Sequence, residues 1–208
     1  MANDTQFKPD VDPTTNRGRL DLRTINVPGR VFAWTVGRSN RAGLPEMPDM
    51  FPGFRRGQWD TEPDEVRFVE EETGYTCIIR RGYGGGLCGC VELPQGHPLV
   101  GHVLHFSEEE RGSYPVVTRD DPRSLAEVIE SLDAPGGVTW ADRRGRYSWC
   151  IGFDHSHSWD ELPHGDRGYH ELTAYANIEQ VGRECAALAR ELRGVAEGIA
   201  DATGEVEV

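Results

Sequence analysis

RYSWCIGFDHSHSWDE, residues 146–161, joins a strand pattern to a polar loop. In its first half Tyr147, Trp149, Ile151 and Phe153 alternate with Ser148, Cys150 and Gly152. Successive side chains of a strand point to opposite faces, so four large apolar groups share one face and small groups share the other. The large face belongs in a core. The small face leaves room for a close approach, with a packed helix as the expected occupant and a second backbone or a ligand as the alternatives. The second half gathers His155, His157, Asp154, Asp160, Glu161 and Trp159 into the ten positions from Gly152 to Glu161.

Working outward, LCGCVELP (87–94) repeats the alternation, with Leu87, Gly89 and Val91 on one face and Cys88, Cys90 and Glu92 on the other. EVRFVEE (65–71), a turn at Thr73 and Gly74, and YTCIIRRG (75–82) read as a strand pair that continues through a Gly-rich hairpin containing Tyr83 into 87–94. An antiparallel meander is the simplest topology. Residues 19–36 read as two short strands broken at Pro28 and Gly29, SYPVVTR (113–119) as a further short strand, and 37–58, rich in Gly and Pro, as a surface loop. DDPRSLAEVIESL (120–132) has an acidic start and an apolar stripe at Leu125, Val128, Ile129 and Leu132, which predicts a short helix ended by Pro135, Gly136 and Gly137. From about 171 to 201 Tyr175, Ile178, Val181, Cys185, Leu188, Leu192, Val195 and Ile199 recur at three and four, which predicts a long amphipathic helix. It either covers the sheet or pairs with a second copy in a homodimer. The expected fold is α+β: a small, mostly antiparallel sheet covered by a long C-terminal helix, loop-rich, with an N-terminal arm. The arm and linker span 1–54 (1–18 reading as a mobile tail), the domain 55–202 and a tail 203–208.

The chain has 208 residues, with 22 Lys and Arg against 35 Asp and Glu, for a formal charge of −13. Such a charge repels a phosphate backbone, so direct nucleic-acid binding is not expected. The acidic stretch from Asp60 to Glu72 offers instead the alternative of an acidic nucleic-acid mimic. The first residues carry no apolar signal segment and no run of about 18 apolar residues follows, so the expectation is a cytoplasmic protein without a membrane partner. Five cysteines, an odd number, point to reduced and mostly buried thiols.

GQWDTEPDEVRFVEEETGYTCIIRR, LCGCVELPQGHPLVG, PGGVTW and WCIGFDHSHSWD occur in this order ahead of the C-terminal helix. Together they resemble a family of uncharacterised proteins common in bacteriophages and actinobacterial genomes, with motifs WDxEPDxV, LCGYVxVPxGHP, HGGLTY and GFDxxHxxD. The likeness covers about residues 57 to 200. It implies importance for Trp59, Glu62, Pro63 and Asp64; Cys88 and Gly89; Gly96, His97 and Pro98; Gly136, Gly137 and Thr139; and Gly152, Phe153, Asp154, His157 and Asp160. This chain departs from the pattern at Pro135, where the family has His, and at His155, where it often has Cys. The resemblance implies a phage context and no reaction.

Asp154, His157 and Asp160, three residues apart in turn, are the residue types that ligate a divalent ion, with His97 as a further ligand or general base. The competing reading has Asp154 bonding turn amides and Asp160 capping a short turn. Cys88 acting with His97 as a nucleophile lacks a visible orienting residue. The expected function is a non-enzymatic phage accessory protein, active in counter-defence, that binds a host protein or sequesters a small ligand such as a signalling nucleotide. His97, Asp154, His157 and Asp160 would supply polar contacts beside Trp149 or Trp159. The alternative is a metal-dependent hydrolase centred on Asp154, His157 and Asp160. No motif specifies a cofactor.

Overall fold

The computed structural model describes residues 25–35, 58–82, 85–102, 125–144, 148–163 and 174–203. Six strands form one sheet: β1 (Gly29–Thr35), β2 (Glu65–Glu70), β3 (Thr76–Arg81), β4 (Leu87–Leu93), β5 (Trp140–Arg144) and β6 (Ser148–Asp154). Their order is β1-β2-β3-β4-β6-β5, and every neighbouring pair is antiparallel. A short helix, α1 (Ala126–Glu130), lies between β4 and β5 in the chain, and the long helix α2 (Ile178–Thr203) follows β6. The α+β fold read from the sequence is the fold observed.

Alternation explains which face is which. Val66 and Phe68 on β2, Cys77 and Ile79 on β3, Leu87, Val91 and Leu93 on β4, and Trp149, Ile151 and Phe153 on β6 join one core with Val181, Cys185, Leu188, Ala189 and Leu192 of α2. Ile78, Cys90 and Cys150 are buried as a separate group on the other face. Helix α2 therefore packs on the large face of β6, not on the small one. The physical reason is contact area, since large apolar side chains gain most by leaving water beneath an apolar helix stripe. Close approach is made by Gly89, where a β-carbon would overlap the Cys185 sulfur and the Phe153 ring. On the small face, a β-carbon at Gly152 would overlap the Gly89 carbonyl and the Cys90 side chain. There the second backbone is the neighbouring strand β4.

Helix α2 starts at Ile178, later than the apolar spacing predicts. Asn177 Oδ1 accepts the Gln180 amide at 2.9 Å, and Glu62 Oε1 accepts the Ile178 amide at 3.0 Å, so two of the first free N–H groups are satisfied there. Tyr175 belongs to the buried stripe but precedes the helix. Part of the expected N-terminal arm is a sheet strand: β1 pairs with β2 through a bulge between Val31 and Ala33. A β-carbon on Gly182 would overlap Val27, so the chain leading into β1 also rests on α2. Strand β5 has no counterpart in the sequence reading, because among its described side chains only Ala141 joins the core. The segments 1–24, 36–57, 103–124, 164–173 and 204–208, and with them the tail, the first N-terminal strand, the surface loop, the 113–119 strand and the start of the 120–132 helix, lie outside the described residues, as do Tyr83 and Tyr147. No helix of the described residues is long and apolar enough to cross a membrane.

Candidate functional site

The polar loop after β6 folds back on itself. Asp154, the last residue of β6, accepts the Ser156 amide at 2.9 Å, and Asp160 Oδ2 accepts the His157 amide at 2.9 Å while its own amide donates to the His157 carbonyl at 3.0 Å. Both carboxylates thus brace tight turns. Asp154 is the register partner of Cys88 and so faces away from α2. His155 continues the alternation of Trp149, Ile151 and Phe153 toward α2, and its amide extends the ladder by donating to the Leu87 carbonyl at 3.1 Å.

His155 is the hub. It is 5% exposed, with Nε2 at 2.7 Å from Glu184 Oε2 on α2 and Nδ1 at 3.4 Å from Asp160 Oδ1. Gln180 Nε2 donates to the other Glu184 oxygen at 3.0 Å, fixing that carboxylate. Burial alone would lower the His155 pKa. The hydrogen bond and charge of Glu184, joined by Asp160, outweigh it and hold the pKa above the ordinary histidine value.

His157 shares the same aspartate through Nδ1, 3.0 Å from Asp160 Oδ2. Its ring edge lies against Gly136, which has φ +70°, and a β-carbon there would overlap the imidazole. The glycine of PGG therefore serves two needs: it adopts a left-handed conformation and leaves room for the ring. Trp159 stacks on His157 with ring centroids 4.7 Å apart and planes 4° from parallel, and the indole is 59% exposed. Among the described residues it is the most exposed large hydrophobic side chain.

Of the residues singled out from the sequence, His157, Trp159 and Asp160 come together. Asp154 borders the same loop but lies on the opposite face of the sheet, because as the last residue of β6 it alternates with Phe153 and His155, which point toward α2. The proposed ligand trio does not converge, and no group of three or more His, Cys, Asp or Glu among the described residues is placed to hold a metal ion. His97 is elsewhere: it is 5% exposed, its Nε2 donates to the Leu192 carbonyl at 3.0 Å, and its Nδ1 accepts the Leu99 amide at 3.1 Å. Leu192 lies two turns beyond Glu184, about 12 Å along the helix. With both ring nitrogens engaged and a pKa lowered by burial, His97 ties the GHP turn to α2. Trp149 is buried in the core, paired in register with Leu93 and Arg143 at the other end of β6, and its Nε1 has no hydrogen-bond partner among the described residues.

His155, Glu184 and Gln180 were missed. A signal for His155 existed, since it is the next position of the period-two face that ends at Phe153. Glu184 sits three residues after Val181, at the margin of the helix stripe, where sequence alone reads a solvated acid.

The remaining motif residues build a second polar centre that is structural. Arg81 donates from Nε to Asp64 Oδ1 at 3.0 Å and from Nη1 to the Gly85 carbonyl at 2.7 Å and to Tyr175 Oη at 2.9 Å. Tyr175 Oη donates to Glu62 Oε2 at 2.6 Å, and its ring meets Trp59 edge-on at 5.1 Å. Glu70, 2% exposed, accepts the Glu72 and Thr73 amides and pairs with Arg190 at 3.2 Å. Glu62, Asp64, Glu65 and Glu70, four of the acids between Asp60 and Glu72, thus have arginine or amide partners within the chain. The five cysteines are free thiols, four of them buried; burial pushes Cys88 up to about 11. Comparison with protein-family models, with curated proteins and with solved structures finds no match to this chain.

Proposed function

We propose that this protein is a non-enzymatic binding protein, a phage accessory protein active in counter-defence, in the phage context that the motif resemblance implies, and that it recognises its target with Trp159. The observation that carries this reading is the mounted stack of Trp159 on His157. Leaving a large indole in water is unfavourable, and rigid exposed aromatics are the residues that anchor interfaces, because they bury much area at little entropic cost. His157 is held by Asp160 and abuts Gly136, so the platform is organised before any target arrives. Its target is a host protein or a small planar ligand such as a signalling nucleotide.

Elsewhere in the fold, Cys88 and His97 do not form a nucleophile–base pair. The Cys88 thiol is held protonated, and His97 is engaged at both nitrogens, so neither can serve the other as nucleophile or base. The test compares the wild-type chain with Trp159→Ala and Gly136→Ala, by quantitative co-purification from host extract and by thermal shift against a nucleotide panel. The reading expects a specific binder that is lost with Trp159→Ala while circular dichroism stays native. Gly136→Ala should weaken the same binder by disturbing His157. Binders that ignore both substitutions would sink it.

A further inference from the structure

Among the described residues, carboxylates gather beside the exposed indole. Asp160 and Glu161 directly follow Trp159 in the loop, and Glu184 is reached through His155. Among the described residues these three carboxylates face two imidazoles, while Asp154 and Arg80, both register partners of Cys88, lie together on the other face of the sheet. The whole chain adds to the same field with its charge of −13. A nucleotide brought to this indole would carry its phosphates into that field. A cation would be attracted by both the carboxylates and the negative face of the ring. Only one face of Trp159 is covered by His157, and the indole remains mostly in water.

We infer that the occupant of this surface is a basic segment of a protein partner, with an arginine guanidinium seated on the free face of Trp159. This rests on the binding reading above and names its partner class. Arginine suits the position better than lysine, because its planar, weakly hydrated group stacks on an aromatic face while its edge donates to carboxylates. The acidic surround would speed the encounter and make it sensitive to salt, whereas the stack would set how long the partner stays.

The test titrates the full chain with a fluorescein-labelled Gly-Arg repeat hexapeptide and, separately, with ATP, following anisotropy and tryptophan emission. The peptide should bind and quench emission. Trp159→Ala should weaken it by about fivefold or more, and Trp159→Phe by less, as expected for loss of a cation–π contact. Equal peptide affinity in wild type and Trp159→Ala would mean that bulk charge alone attracts the peptide, and would overturn the inference. Trp159-dependent binding of ATP without peptide binding would overturn it too, while leaving the binding function intact. If neither probe binds and Trp159→Ala loses no binder from host extract, both readings fail.

Discussion

His155 and His97 both leave the sheet to hold α2, and their titrations act in opposite senses. The folded pKa of His155 is raised, so its stabilisation is fully present below the unfolded histidine value, about 6.5, and is lost as pH rises through the higher folded value. The folded pKa of His97 is lowered, so its stabilisation is present above about 6.5 and is lost as pH falls. Urea unfolding of His155→Gln should show a stability deficit against wild type that is larger at acid pH than at alkaline pH. His97→Gln should show the reverse, with a deficit of about 1–3 kcal/mol at alkaline pH, where the buried Leu192 carbonyl and Leu99 amide lose their partner. Parallel pH dependences in the two variants would contradict these assignments.

At the scale of elements, the N-terminus of α2 is anchored by a buried ionic network, while its exposed flank carries ordinary surface pairs. Arg81 pairs there with Glu62 and Asp64, with side chains 5%, 14% and 12% exposed. Replacing it by Met should cost about 3–5 kcal/mol, since two half-desolvated carboxylates would be left without it. Arg183→Ala breaks the Glu179–Arg183 pair, whose side chains are half exposed, and should cost less than about 0.5 kcal/mol. Chemical denaturation of the two variants measures the contrast. Comparable losses would mean that the network does not hold the helix.

For the whole molecule, the consequential finding is that the sheet begins before the loop at 36–57. Val27, Val31 and Trp34 pack against the same core as α2, and β1 supplies the edge ladder to β2. A chain starting at residue 55 should therefore be less stable than the full chain by at least about 2 kcal/mol, because each partly buried apolar side chain that is removed uncovers core surface. Its urea midpoint should fall. An unchanged midpoint would make β1 an ornament of the sheet.

The fold was legible where periodicity is strong. Trp149, Ile151 and Phe153, the Leu87–Val91 face and the stripe from Ile178 to Leu192 named the core, because alternation and the 3.6 period follow from backbone geometry alone. Strand β5 and the arm's place in the sheet were less legible, since edge strands bury little and their pairing depends on distant partners. For the site, the sequence determined the inventory: His155, His157, Trp159 and Asp160 in one loop. Tertiary structure decided the grouping, setting Glu184 and Gly136 against that loop while drawing His97 and Trp149 away, because hydrogen bonds and ring contacts between residues far apart in the chain exist only once sheet and helix have packed.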